Sequence, residues 1–99
     1  MDLYAEVAGA DSTVVLVHAG ICDSRMWDPQ WDAFRADHQT VRHDLRGFGR
    51  SPLPPQSYSH GRDLIALLQQ LGIQQATLVG ASLGGRVALE VAVAHPPSR

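Results

Sequence analysis

The run Thr13-Val14-Val15-Leu16-Val17 is β-branched and apolar with no alternation. A strand with one wet face alternates, so this one predicts burial on both faces, as in a parallel sheet. Thr77 to Val79 predicts a second buried strand. Leu3 to Val7, ended by Gly9, and Thr40 to His43 predict two short ones. Between the strands the apolar spacing becomes helical. Trp27, Trp31 and Phe34 predict a helix that packs these rings inward, with Asp28 as N-cap and Pro29 at the first helical position. Leu64, Leu67, Leu68 and Leu71 form the stripe of a second helix, capped by Ser57 or Ser59 and stopped by Gly72. Leu83 to Ala94 predicts a third, closed by His95-Pro96-Pro97. His18 to Ser24 and Asp44 to Gln56 read as loops. The order β-β-α-β-α-β-α argues for an α/β fold with a mostly parallel sheet and flanking helices.

Composition narrows the function. A chain of 99 residues is one small domain or part of a larger one. A formal net charge of -2 gives no reason to expect nucleic acid or an acidic membrane surface as partner. A single cysteine, Cys22, rules out an internal disulfide framework and fits a reducing compartment. The start Met1-Asp2-Leu3-Tyr4-Ala5-Glu6 does not read as a signal peptide, and no apolar stretch is long enough to span a bilayer. A cytoplasmic protein is the expectation.

Three segments carry chemistry. Gly80-Ala81-Ser82-Leu83-Gly84 lies between a predicted strand and a predicted helix. That is the nucleophile-elbow pattern, in which small residues at both ends let a sharp turn expose one serine at a helix N-terminus. The amide of Leu83 would then point to where an oxyanion forms. His18-Ala19-Gly20-Ile21 follows the first buried strand, so the amide of Gly20 or Ile21 is the candidate second donor. His18 itself reads as a structural residue that fixes this loop, and Met26, Trp27 and Cys22 read as packing. Asp44-Leu45-Arg46-Gly47-Phe48-Gly49-Arg50-Ser51 lacks the Lys-Ser/Thr of a phosphate loop. It reads as a packed turn in which Asp44 and Arg46 bond backbone groups.

These segments, in this order, resemble the N-terminal part of the α/β-hydrolase family. His18-Ala19-Gly20 corresponds to the family's oxyanion loop, with Ala19 where glycine is usual. Asp44, Arg46, Gly47, Gly49 and Ser51 match every fixed position of its Asp-x-Arg-Gly-x-Gly-x-Ser block, and Gly80 to Gly84 match its elbow. The Ser59–Leu71 helix with Asp63 also resembles the helix before the elbow strand. The resemblance implies a partial α/β-hydrolase fold lacking the C-terminal strands and lid, with residues 1–99 as the N-terminal portion of one domain. Serine rather than aspartate at position 82 implies hydrolysis of an ester, lactone, thioester or carbon–carbon bond, or a related acyl transfer or perhydrolysis. The substrate would be a small ester-type molecule, with no metal and no cofactor.

The family's triad runs Ser, then Asp or Glu, then His. After Ser82 the chain offers only Glu90 and His95, in or just past the same helix, about 12 Å and about 20 Å along its axis. Of the upstream histidines, His38 and His60 read as surface residues, and His43 ends a strand near the catalytic edge. Without a base Ser82 would be a weak nucleophile. The chain is therefore expected to be weakly active or inactive alone. The alternative is a non-enzymatic hydrolase half that binds a ligand or a partner chain. Ala76 to Val79 would then form a bare sheet edge, open to self-association.

Overall fold

The computed structural model describes residues 3–53 and 56–94. Four strands form one mixed sheet in the order β1-β3-β2-β4, with β1 at Ala5–Ala8, β2 at Thr13–Val17, β3 at Gln39–His43 and β4 at Thr77–Gly80. β2 runs parallel to β3 on one side, with Val15 opposite Val41, and parallel to β4 on the other, with Val15 opposite Leu78. β1 is antiparallel to β3. β2 is thus central, and all five of its residues are buried. The unbroken apolar run predicts this.

Helix α1 spans Asp28–Asp37, α2 spans His60–Gln70 and α3 spans Leu83–Ala94. Val15, Val17 and Val41 pack with Leu45, Leu64, Val87 and Val91 to form the core beneath α2 and α3. Successive strand residues face opposite sides of a sheet, so Arg42 points the other way, toward α1. Its guanidinium donates to Asp28 at 2.6 Å, Glu6 at 3.0 Å and the Ser24 carbonyl at 3.3 Å, and lies 4.3 Å over the Trp31 ring. One buried cation draws three segments onto β3.

That cation explains a correction. Asp28 is not an N-cap. It is the first residue of α1, which has no side-chain cap, and its carboxylate goes to Arg42 instead. A 3-10 turn at Ser24–Trp27, inside and beyond the predicted loop, leads into the helix. Asp23 caps this turn by accepting the Arg25 N–H at 2.9 Å. Trp27, Trp31 and Phe34 are only half-buried, because α1 covers the sheet from outside and buries none of its residues fully. β1 is shifted by two residues at its start, since Tyr4 bonds the 44–51 turn rather than a strand.

α2 begins after Ser59, whose side chain accepts the Arg62 N–H at 3.3 Å. β4 is not buried as predicted. It ends the sheet, with Leu78 and Val79 half-exposed and Thr77 and Gly80 exposed. The closing residues His95-Pro96-Pro97 lie outside the described residues. Among the described residues no helix is long and apolar enough to cross a membrane.

Candidate active site

β4 ends at Gly80 and α3 begins at Leu83, leaving two residues to reverse the chain. Ser82 makes the turn at φ 56°, in the left-handed region that non-glycine residues seldom occupy. The backbones that crowd it leave no room for side chains. A Cβ on Gly80 would overlap the carbonyl of Gly84, and one on Gly84 would overlap the carbonyl of Val17. The Ala81 N–H donates to that same Val17 carbonyl at 3.2 Å. The elbow is therefore pinned to the end of β2, with Ser82 exposed at the N-terminus of a 12-residue helix.

The loop leaving β2 arrives at the same place. A Cβ on Gly20 would lie 3.2 Å from Leu83 Cδ2 and 3.4 Å from its Cβ. The backbone of Gly20 thus sits against the residue that follows Ser82. Two contacts shape the loop: the Cys22 N–H donates to the Ala19 carbonyl at 3.0 Å, and the Ala19 N–H to Met26 Sδ at 3.3 Å. Ile21 is almost fully exposed, at 97%. His18 is fully buried. Its Nδ1 pairs with the Ala19 carbonyl at 2.7 Å, and its Nε2 accepts the Leu45 N–H at 2.9 Å. Since an amide can only donate, Nε2 is the unprotonated nitrogen and Nδ1 carries the proton.

Leu45 opens the 44–51 turn, and Asp44 organises it. One carboxylate oxygen accepts the Ser24 N–H at 2.7 Å, and the other accepts the Arg50 N–H at 2.8 Å. Gly49, at φ 51°, lies so close to that carboxylate that a Cβ would overlap it. Gly47 donates its N–H to the Ser51 carbonyl at 3.1 Å. The Ser51 hydroxyl donates to the Asp44 carbonyl at 2.5 Å and accepts the Tyr4 N–H at 3.0 Å, while Tyr4 accepts the Asp44 N–H at 2.9 Å. Arg46 reaches the Asp63 carboxylate of α2 at 2.9 Å. The turn is thereby tied to Tyr4 just before β1, to the 3-10 turn and to α2.

The remaining ionisable groups fall into place around this frame. His43 is fully buried, with neither ring nitrogen partnered among the described residues. Burial, aided by nearby His18, holds its pKa down at about 4. His60 is half-buried. Phe48 and Tyr58 pack on its ring, its Nδ1 is buried and unpartnered, and burial lowers its pKa. His38 lies far from the elbow, beside Ser12 at the start of β2, with Nδ1 3.2 Å from the hydroxyl. Glu90 is exposed on α3, and His95 lies outside the described residues. Cys22 is a half-buried free thiol. Among the described residues no group of three or more His, Cys, Asp or Glu could hold a metal ion. Sequence reasoning missed the burial of His43 and the packing of Phe48 and Tyr58 on the half-buried His60 ring. The only signal was their place beside the glycine-rich turn and at the start of a helix.

The profile of the "Alpha/beta hydrolase family" matches residues 14–98, and the chain belongs to that family. It is 36% identical to the "Putative carbamate hydrolase RutD" of Azorhizobium caulinodans, across 96% of this chain and 37% of that protein. It is 36% identical to the pimeloyl–(acyl-carrier protein) methyl ester esterase of Vibrio atlanticus, across 94% of this chain and 35% of the relative. The fold superposes on Est816, described as an N-acyl homoserine lactone degrading enzyme, with a TM-score of 0.90 at 31% identity. That match covers 95% of this chain and 38% of the other. The chain thus spans little more than a third of the length of the relatives it matches, and its fold is a partial α/β-hydrolase fold.

Proposed function

We propose that this chain is the N-terminal part of a serine hydrolase acting on ester-type bonds, whether carboxylic ester, lactone or thioester. Ser82 is the nucleophile. The amides of Leu83 and of Gly20 or Ile21 form the oxyanion hole. The observation that carries this reading is the left-handed backbone of exposed Ser82, between two glycines too crowded to hold a Cβ. Strain of that kind persists where the surroundings impose it, and it concentrates at functional sites. The relatives support the bond class, since carbamates, methyl esters and lactones all carry a carbonyl bonded to a leaving heteroatom.

In this mechanism Ser82 Oγ attacks the carbonyl carbon and its proton passes to a histidine base. The carbonyl electron pair moves to oxygen, where the two amides stabilise it. Collapse expels the alcohol, which takes the proton, and water then releases the acid by the same steps in reverse. Loss of one oxyanion donor in such sites lowers kcat about 10²–10³-fold.

The base and its acid belong, on this reading, to polypeptide following the elbow in a full-length protein. His18 has both nitrogens engaged and His43 is sealed in the core. The 99 residues alone are therefore weakly active or inactive. The open β4 edge favours one other reading, a non-catalytic half that docks on a partner chain. The test is p-nitrophenyl acetate hydrolysis by the 99-residue chain and by a full-length form, each beside its Ser82→Ala variant. The expected result is serine-dependent turnover in the full-length form alone. Full-length turnover that survives Ser82→Ala refutes the assignment.

A further inference from the structure

Ala19 is held at both of its backbone polar groups. Its N–H donates to Met26 Sδ at 3.3 Å. Its carbonyl accepts the Cys22 N–H at 3.0 Å and pairs with His18 Nδ1 at 2.7 Å. A trans peptide is planar, so its N–H and C=O point in opposite directions. Two such planes meet at the Ala19 Cα, and each of these grips sets one of them.

The first plane joins His18 to Ala19. At one end its carbonyl oxygen lies against the elbow, 2.6 Å from where a Cβ on Gly84 would stand. At the other end its N–H meets the Met26 sulfur. The second plane joins Ala19 to Gly20. Its carbonyl faces the His18 ring and the Cys22 amide, so the Gly20 N–H points the opposite way. Gly20 itself packs on Leu83. Release of the sulfur would free the first plane to turn, and the second would turn with it through the Ala19 Cα.

Met26 reaches this loop from a fixed backbone. It belongs to the 3-10 turn Ser24–Trp27, and its own N–H donates to the Asp23 carbonyl at 3.1 Å. Ser24, in the same turn, is buried and donates its N–H to the Asp44 carboxylate at 2.7 Å. A thioether is a weak acceptor on an adaptable side chain, so it can pack against the loop and take an amide hydrogen at once.

We infer that Met26 is a positioning residue for the oxyanion hole: its sulfur holds the His18–Ala19 peptide against the elbow and thereby aims the Gly20 amide. The inference rests on the reading of Ser82 as nucleophile and of Gly20 as an oxyanion donor. Met26 acts through Ala19 and needs no contact with the substrate.

The experiment compares Met26→Leu and Met26→Gln with the parent in the full-length form, beside Ser82→Ala. Leucine is close to methionine in volume and has no acceptor, whereas glutamine offers a carbonyl oxygen. Outright loss of an oxyanion donor lowers kcat about 10²–10³-fold, so a misdirected donor in Met26→Leu should lower it about tenfold. KM for p-nitrophenyl acetate and the melting temperature should stay close to the parent's, because the donor acts on charge that develops only in the transition state. Met26→Gln should recover most of the lost kcat. Hydrogen exchange at the Ala19 amide should quicken in Met26→Leu and stay slow in Met26→Gln. An unchanged kcat in Met26→Leu overturns the inference. So does an equal loss in both variants, which would assign the effect to side-chain shape, or a loss that follows a fall in melting temperature. A lower kcat with Ala19 exchange as slow as the parent's overturns it too. Turnover that survives Ser82→Ala is a separate failure: it removes the serine reading, and this inference with it, whatever Met26→Leu does.

Discussion

Gly84 and Val17 meet where the elbow crosses the end of β2, and no side chain fits between the Gly84 backbone and the Val17 carbonyl. This contact sets the height of α3 above the sheet, and so the position of Leu83 beside Gly20. Gly84→Ala must push the helix away or break the Ala81–Val17 hydrogen bond. The expected loss is about 2–3 kcal/mol of stability, read by urea denaturation at one protein concentration. A loss below about 1 kcal/mol would show that α3 shifts freely and that the contact fixes nothing.

Ser82 holds a left-handed backbone without being glycine. Ser82→Gly should therefore stabilise the chain by about 1 kcal/mol, whereas Ser82→Ala keeps a Cβ and gains nothing of that kind. Thermal melts of the two variants side by side make the comparison. Equal midpoints would mean that the turn is unstrained and that the main support for a catalytic Ser82 is gone.

How much of this was legible in the sequence depended on whether a segment's structure is set locally. The glycines around Ser82 and the apolar spacing of the next twelve residues define both ends of a turn and a helix, and α3 occupies the span Leu83–Ala94 that they predict. The run at 13–17 states its own burial. Asp28 misled because Asp-Pro fits equally well before a helix or in its first turn. The choice was made by Arg42, fourteen residues away in sequence. β4 misled differently. Thr-Leu-Val has the composition of a buried strand, but burial belongs to whatever lies next to it, and here one side is open. His43 sits in the polar string Arg42-His43-Asp44, where only strand alternation and the packing of α2 place its ring inside.

Asp44 holds two loop amides with two oxygens, one from Ser24 and one from Arg50. Asp44→Asn replaces one acceptor with a donor, so one amide loses its partner and faces an N–H. The expected cost is about 1–3 kcal/mol. Amide exchange should quicken at either Ser24 or Arg50, whichever faces the new NH₂. Unchanged exchange at both would place the turn's stability elsewhere, in Ser51 and the Arg46–Asp63 pair.

His43 gives the fold a dependence on acid. Its pKa is about 4 when buried, against roughly 6.5 when exposed, so the unfolded chain binds the proton first. Stability is therefore full above about pH 6.5 and falls as pH drops toward about 4, by up to about 1.4 kcal/mol per pH unit for one proton. His60, also lowered by burial, acts in the same direction. Urea midpoints at about pH 7 and about pH 5 should differ in the parent and differ less in His43→Leu. The same pH dependence in parent and variant would assign the effect to other groups.

The sheet's order in space also sets an order in time. β1, β2, α1 and β3 are drawn from residues 5–43, and their three strands already bond one another. On a ribosome a three-stranded platform, with β2 open along one side, can assemble before Ser82 has been translated. β4 and α3 then dock on that open side and carry the serine to the end of β2. The residue proposed as the nucleophile is thus synthesised after the strand end and the loop it docks against, and a pause in translation between residues 43 and 77 would lengthen the life of an intermediate whose exposed edge is β2.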